Sequence, residues 1–297
     1  MFSQAYQQLK PHVVAIVPRF LPAQTDFPEI SGTGFFVDTD GIVCTCRHVV
    51  DVITSLPRPS EFQGYAAAVW LMFEVKVGKL RGWARQALEI RAIVGAHVID
   101  ESKTYLGPNP PDVSFLIVNA IDTPSVTFSE EPLEEGEWLA FAGYPMGTRL
   151  LKAPSWLHQT GPTLHAGLTS AILPYSGVDI PHGFLLHANT QGGASGSPVF
   201  RADGKVVGMV YMGINEEFRF GGHSKLGDTG FTTYRVPTNL TGCVPREPIA
   251  QVLPYARAHA QTFQGRSRLS DIIAASGIEE LAPGHGILKP YGGPETA

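Results

Sequence analysis

Most of the chain is a succession of short apolar or alternating segments, each bounded by glycine, proline or other turn-forming residues. β-Branched and aromatic side chains are frequent in these segments, which is typical of strands rather than helices. A turn signal, Thr39-Asp40-Gly41, joins two of them. The pattern predicts strands in residues 12–17, 32–50, 65–77, 88–99, 113–120, 137–144, 183–189, 197–200, 205–213 and 230–237.

The C-terminal part of the chain has a different pattern. It predicts two helices, over residues 246–263 and 270–281, with the first interrupted near Pro254 and the second opening on the capping residue Ser270. Glycine (32 residues) and proline (24 residues) are frequent, which favours many short strands. We therefore expect an all-β protein with terminal helices, built from antiparallel barrels or sandwiches.

Composition limits the classes of partner. With 297 residues, 43% of them hydrophobic and 16% charged, the chain resembles compact globular proteins rather than disordered ones. The net charge is −5 and there is no basic run, so nucleic acid is not expected as a partner. No apolar stretch reaches the length of a membrane span, so no membrane partner is expected either. No basic start precedes a long apolar run at the N-terminus, and a cytoplasmic protein is the default expectation.

The cysteines support the same compartment. There are three, an odd number, and Cys44 and Cys46 lie two residues apart in a predicted strand, a geometry that does not favour a bridge between them. Reduced thiols are typical of cytosolic chains. We therefore expect no disulfide framework.

The segment QGGASGSP, residues 191–198, places one serine among small residues. A serine hydroxyl becomes a nucleophile when a base accepts its proton, and acyl transfer builds negative charge on an oxygen that needs donors nearby. Small residues allow the main chain to turn sharply enough to aim amide N–H groups at that oxygen. The segment predicts Ser195 as the nucleophile and the N–H groups of Gly193 and Ser195 as an oxyanion hole.

Two further residues complete the chemistry that Ser195 needs. His48 lies at the end of an apolar strand in TCRHVVDVI, and Asp112 precedes another apolar strand in PPDVSFLIV. An imidazole can accept the serine proton, while a buried carboxylate on its other nitrogen fixes the tautomer and stabilises the imidazolium. Each residue alone is weak evidence, but together they follow the order of a His-Asp-Ser triad.

Four motifs in a fixed order resemble the protease domain of the HtrA/Deg branch of the trypsin/chymotrypsin-fold serine proteases. They are SGTGFFVDTDGIVCTCRHVV, DVSFLIV, LEEGEWLAFAGYPMG and GASGSPVFRADGKVVGMVYMG. The resemblance implies a double antiparallel six-stranded β-barrel, with His48 as general base, Asp112 as its orienting partner and Ser195 as nucleophile. It implies a serine endopeptidase that acts on proteins or peptides without a cofactor or a metal ion. The resemblance does not decide whether the protein forms an oligomer.

The resemblance also suggests how the chain is divided. We expect a protease domain over residues 1–250, with barrel halves near 10–125 and 126–245, and a C-terminal helical extension over 251–297 without a PDZ domain. Two departures from the family pattern stand out. Ser197 replaces the second glycine after the nucleophile, and the long separation of His48 from Asp112 predicts an extra hairpin or lid within residues 55–110.

In this fold, the residues before the serine loop and the strand beyond it line the pocket for the P1 residue of the substrate. Asn189 matches the position where trypsin-like enzymes carry an aspartate, so a basic P1 residue would lack its ion pair. We therefore expect small to medium apolar P1 residues. The expected substrate-binding residues are Asn189, Thr190, Gln191, Gly192, Tyr211, Met212 and Gly213.

Two other functions remain open at this point. Cys44, Cys46 and His48 would face the same side of one predicted strand, where they could share a zinc ion, although the spacing is unusual for zinc. The fold could also serve as a catalytically silent, protease-like binding module. The presence of all three triad residues favours the enzyme.

Overall fold

The computed structural model describes residues 1–20, 30–77, 80–95, 111–145, 161–223, 229–276, 278–282 and 285–288. The helices are α1 (Ser3–Leu9), α2 (Arg47–Thr54), α3 (Arg246–Ala260) and α4 (Leu269–Ala275), with a 3-10 turn at Lys10–His12. The strands are β1 (Val13–Pro18), β2 (Gly32–Asp38), β3 (Ile42–Thr45), β4 (Ala67–Val77), β5 (Leu80–Gly95), β6 (Ser114–Val118), β7 (Ala120–Ile121), β8 (Trp138–Gly143), β9 (Thr163–Leu173), β10 (Gly183–His187), β11 (Pro198–Phe200), β12 (Val206–His223), β13 (Thr229–Pro245), β14 (Ser267–Arg268), β15 (Ile278–Ala282) and β16 (His285–Leu288).

Strands β1 to β6 form the first barrel. They pair antiparallel in the order β1-β2-β3-β6-β5-β4, and β4 pairs back with β1 through contacts such as Val14 with Leu71. The interior contains fully buried aromatic side chains, among them Phe35 and Phe115. Burial of such side chains contributes roughly 1.5–3 kcal/mol each, so this core is a main source of stability.

Strands β8 to β13 form the second barrel. They close in the order β10-β13-β12-β11-β8-β9 around a separate core that includes Leu139, Phe141 and Phe184. The predicted double six-stranded barrel is therefore confirmed. Strand β9 was not predicted, because most of its side chains face outward and Gly167 interrupts its apolar positions. A side chain at Gly167 would collide with the carbonyl oxygen of His187 on β10.

Strands β12 and β13 continue beyond the second barrel. Their pairing extends from Gly208 with Pro245 to His223 with Thr229. Residues 215–237 thus form a projecting two-stranded arm, apart from residues 224–228, which lie outside the described chain. The base of this arm adjoins the site described below.

The hairpin of β4 and β5 occupies much of the region where an insertion was expected. Its two strands belong to the first barrel and pair from Ala68 with Glu89 to Val77 with Leu80. Residues 78–79 and 96–110 of the expected insertion lie outside the described residues, as does the end of the predicted strand 88–99. In the described part of this region, the long hairpin is therefore part of the barrel itself and not an addition to it.

The C-terminal segment packs against the first barrel. Helix α3 buries Ile249, Val252 and Leu253 in the barrel core, and Arg257 makes an ion pair of 2.6 Å with Asp38. Pro254 lies inside this continuous helix, so the predicted interruption is wrong. The buried face of the helix outweighs the one main-chain hydrogen bond that proline removes.

The extension was expected to be helical, with a helix over residues 270–281. Helix α4 forms the first part of that stretch, but the prediction is wrong for residues 278–281, which belong to β15. The extension also contains other strands: β14 pairs in parallel with β7, and β16 pairs in parallel with β4 of the first barrel. At the other end of the chain, the short helix α1 buries Ala5 and Leu9, and Phe2 just before it is buried as well; the sequence pattern did not predict this helix. None of the helices in the described ranges is both long and apolar enough to cross a membrane.

Candidate active site

His48 and Asp112 meet at the edge of the first barrel. His48 lies in the first turn of α2, and Asp112 lies just before β6. The ring nitrogen Nδ1 of His48 is 2.5 Å from Oδ2 of Asp112, and the main-chain N–H of His48 donates to Oδ1 at 3.0 Å. Asp112 is only 6% exposed, whereas His48 is half-exposed. Helix α2 therefore holds an imidazole that is partly open to solvent and that contacts a buried carboxylate through Nδ1.

The environment of Asp112 keeps its carboxyl group ionised. Burial by itself raises the pKa of Asp112, but the hydrogen bonds and charge of His48 outweigh it, and the net effect is a lowered pKa. An ionised carboxylate can only accept hydrogen bonds, so Nδ1 of His48 carries the proton. The other ring nitrogen, Nε2, is then free to accept a proton from a nucleophile.

The loop that carries Ser195 is anchored to β2 by Thr33. The N–H of Thr33 donates to the main-chain oxygen of Ser195 at 2.8 Å, and its hydroxyl donates to that of Gly193 at 2.7 Å. Gly196 has a φ of +90°, and a side chain there would come within 1.8 Å of the Thr33 oxygen. Sequence reasoning missed Thr33, although a lone polar residue between two glycines in an apolar strand was a detectable signal.

The Ser195 hydroxyl donates its hydrogen bond to a main-chain oxygen and not to His48. Its Oγ donates to the main-chain oxygen of Tyr211 at 3.1 Å. Among the described residues, no hydrogen bond joins Ser195 to His48. Catalytic hydrogen bonds are often long or misaligned before substrate binds, and rotation about one side-chain bond redirects the hydroxyl.

Two main-chain donors lie beside Ser195. Gly193 has a φ of +97°, which glycine adopts without strain. Within the described part of the chain, neither the N–H of Gly193 nor that of Ser195 has a hydrogen-bond acceptor. These are the two donors that the sequence predicted for an oxyanion hole.

A cavity of about 390 Å³ opens next to Ser195. Its lining includes the predicted residues Asn189, Thr190, Gln191, Gly192 and Gly213. The structure does not place Tyr211 or Met212 in this lining: the ring of Tyr211 lies against Gly242, and Met212 is 44% exposed. Five further lining residues were missed, since they come together only through the pairing of β12 with β13; they are Ile214, Asn215, Pro237, Asn239 and Leu240.

The cysteines are arranged differently from the expected zinc site. His48 lies on α2 rather than on the strand of Cys44, because the chain leaves β3 after Thr45. The thiol of Cys44 faces Met209, so the proposed set of Cys44, Cys46 and His48 is wrong. The group that the structure brings together is Cys46, His48 and Asp112, whose ligand atoms lie within 4.8 Å of one another.

Comparison with known proteins identifies the family of the chain. The family model of the trypsin-like peptidase domain matches residues 32–209. The chain therefore belongs to the family of trypsin-like peptidases. It is a serine protease, as the sequence motifs predicted. No curated protein matches the chain.

Solved structures also match the chain at low sequence identity. The HtrA-type protease AlgW, solved with a decapeptide, has 14% identity and a TM-score of 0.53, with 88% of this chain and 68% of that chain covered. The active form of the Rv3671c protease from M. tuberculosis has 19% identity and a TM-score of 0.48, with 84% and 82% covered. The likeness to AlgW supports the predicted resemblance to the HtrA branch at the level of the fold.

Proposed function

We propose that the protein is an endopeptidase that cleaves peptide bonds through His48, Asp112 and Ser195, by way of an acyl-enzyme intermediate. The observation that carries the proposal is the 2.5 Å contact of His48 with a buried, ionised Asp112. The serine loop lies close to this pair, because the N–H of Gly196 and the thiol of Cys46, two residues before His48, both contact the main-chain oxygen of Val210. Membership of the trypsin-like peptidases supports a serine nucleophile. A buried carboxylate on Nδ1 is the arrangement that makes Nε2 an effective general base.

The reaction begins with a rotation of Ser195. Its hydroxyl leaves the Tyr211 oxygen, gives its proton to Nε2 of His48 and attacks the carbonyl carbon of the substrate. The oxyanion that forms accepts hydrogen bonds from the N–H groups of Gly193 and Ser195. His48 then protonates the leaving amine, and water hydrolyses the acyl-enzyme by the same steps in reverse order.

Substrate binding itself would promote this rotation. An extended peptide beside β12 can donate a main-chain N–H to the Tyr211 oxygen, which now accepts from Ser195. A second donor on that oxygen competes with the Ser195 hydroxyl and weakens the contact that holds it away from His48. Gly213, two residues further along and in the cavity lining, offers the next main-chain groups of the same strand.

The cavity favours an apolar P1 residue of small to medium size. Among the described residues, its lining contains amide, hydroxyl and apolar groups but no charged side chain. Glu217 of the nearby arm is already paired with Arg235 at 2.9 Å. A buried Arg or Lys side chain would therefore lack a counter-ion, and an unpaired buried charge is costly.

A reducing, cytoplasmic location fits the thiols. Cys44, Cys46 and Cys243 are all free and buried. Free thiols persist in the cytosol, where disulfides are rare.

Labelling with a fluorophosphonate probe tests the proposed function. We expect one probe per chain, mapped to Ser195 by peptide mass spectrometry, and loss of labelling in Ser195→Ala. Ser197→Ala is the matched control, since Ser197 is fully buried in the same loop and should leave labelling intact. A folded protein that neither labels nor hydrolyses peptides would overturn the proposal and indicate a silent, peptide-binding module instead.

A further inference from the structure

A thiol lies beneath the catalytic histidine. Cys46 is fully buried at the end of β3, and its Sγ is 3.3 Å from the main-chain oxygen of Val210. One ligand atom from each of Cys46, His48 and Asp112 lies within 4.8 Å of the other two. Thiolate, imidazole and carboxylate are the three side-chain ligands that zinc uses in proteins.

We propose that Cys46, His48 and Asp112 form a binding site for Zn²⁺, and that zinc bound there inhibits the peptidase reversibly. The inhibitory effect rests on the function proposed above, whereas zinc binding does not. This site differs from the zinc site predicted from the sequence in two ways. Asp112 takes the place of Cys44 as a ligand, and the bound zinc regulates an enzyme, whereas the predicted site was an alternative to enzymatic function.

The spacing of the three groups is close to that of a zinc site. Ligand atoms around a tetrahedral zinc ion are roughly 3–4 Å apart, given metal–ligand distances of about 2.0–2.3 Å. The His48 side chain is 47% exposed, so its ring can move outward by the small distance that admits the ion. Cys46 and Asp112, both buried, supply the fixed part of the site.

The charges of the site suit a divalent cation. On binding, the Cys46 thiol loses one proton to solvent and becomes a thiolate. Together with the Asp112 carboxylate, it balances the two positive charges of zinc. The buried part of the complex is then neutral, which limits the desolvation cost.

Zinc bound in this way would block general-base catalysis. Coordination through Nδ1 of His48 displaces the proton from that nitrogen, and the imidazole carries it on Nε2 instead. A protonated Nε2 has no lone pair to accept the proton of Ser195. None of the three ligands lines the substrate cavity, so zinc should lower kcat and leave KM unchanged.

Binding is tested first without any need for activity. Co²⁺ is added to full-length Ser195→Ala protein, and we expect one ion per chain with a thiolate-to-cobalt charge-transfer band in the near ultraviolet. Cys46→Ser in the same background should lose the band. Cys44→Ser is the matched control, because both cysteines are fully buried near one strand and only Cys46 belongs to the site.

Inhibition is tested next on protein with an intact Ser195. Zn²⁺ should lower kcat, EDTA should restore it, and each variant is compared with its own rate without metal. Loss of an outer-shell partner alone costs ~10–100-fold in metal affinity, so Cys46→Ser should raise the half-inhibitory zinc concentration at least ~100-fold. Cys44→Ser should leave that concentration unchanged. Should Cys46→Ser fail to fold, the cobalt band of the Ser195→Ala protein still decides whether a thiolate binds the metal.

The two proposals fail in different ways. Protein that hydrolyses peptides but shows no thiolate–cobalt band, or equal zinc sensitivity in Cys46→Ser and Cys44→Ser, overturns the zinc site and leaves the peptidase intact. Protein that shows the band but neither labels nor hydrolyses peptides overturns the peptidase and retains the metal site.

Discussion

His48 and Asp112 are joined at two points, through the imidazole and through the main chain. The ring contact of 2.5 Å and the main-chain hydrogen bond of 3.0 Å use both oxygens of one carboxylate. The main-chain bond ties the start of α2 to Asp112, two residues before β6, so the barrel sets the orientation of the imidazole. The ring contact fixes the proton on Nδ1, which leaves Nε2 as the ring nitrogen that can accept a proton.

Asp112→Asn should lower kcat by about 10⁴-fold with little change in the fold. An amide can donate to Nδ1, which stabilises the wrong histidine tautomer and leaves Nε2 protonated; loss of the triad aspartate in trypsin has an effect of that size. Steady-state peptide hydrolysis measures the change, and circular dichroism serves as the control for folding. Turnover within tenfold of the wild type would show that Asp112 does not orient His48.

The same substitution should change the acid dependence of stability. The pKa of Asp112 is lowered in the folded protein, against the effect of its burial, by its hydrogen bonds with His48. Its contribution to stability is therefore complete above the carboxyl pKa of the unfolded chain and is lost as pH falls through the lower, folded value. Between about pH 5 and about pH 2.5, urea titrations should show the unfolding free energy of the wild type falling more steeply than that of Asp112→Asn. Parallel pH profiles would exclude the linkage.

Gly196→Ala should destabilise the serine loop. The new side chain would need a φ of +90° and would lie 1.8 Å from the Thr33 main-chain oxygen. We expect a loss of at least ~2 kcal/mol in unfolding free energy, measured by denaturant titration. Gly192→Ala is the control, because no atom lies within 4 Å of the place that its new methyl group would take, and it should stay within ~0.5 kcal/mol of the wild type. Equal effects of the two changes would contradict the packing described here.

Peptides with Ala, Val, Leu or Met at P1 should be cleaved in preference to those with Arg or Lys. A tenfold ratio in kcat/KM requires only ~1.4 kcal/mol of lost transition-state binding, less than the usual cost of an unpaired buried charge. Asn189→Asp should shift the preference toward Arg and Lys, since it adds a carboxylate to the cavity lining. A peptide-library profile measures both. Dominant cleavage after Arg or Lys by the wild type would show that a carboxylate from elsewhere enters the cavity.

The double barrel was predictable because most of its strands are indicated by short stretches of the sequence. β-Branched runs, turn glycines and ordered motifs each act over a few residues, and Gly41, for example, has the positive φ expected in its turn. Strand β9 was missed because it has no clear local pattern of apolar and polar residues. Its strand conformation depends on its pairing with β8 and β10, which are distant in the sequence from some of its residues. Helix α1 is too short for its periodicity to be recognised.

The site shows the same division between local and distant information. Ser195, with its small neighbours, and His48 and Asp112, at strand boundaries, carry signals that can be found in the sequence. Thr33 also stands out locally, between two glycines of an apolar strand, but its hydrogen bonds to the serine loop join residues about 160 positions apart, so the sequence does not show what it contacts. The place of Leu240 in the cavity lining and the hydrogen bond of the Ser195 hydroxyl to Tyr211 likewise depend on tertiary structure and have no local signal in the sequence.

Trapping of the acyl-enzyme tests the central claim most directly. Rapid mixing of the wild type with p-nitrophenyl acetate should release a burst of one p-nitrophenol per chain, and mass spectrometry should locate one acetyl group on Ser195. The Ser195→Ala variant, with unchanged thermal stability, should show neither the burst nor the acetyl group. A burst of the same size in Ser195→Ala, or an acetyl group on another residue, would contradict the assignment of Ser195 as the nucleophile.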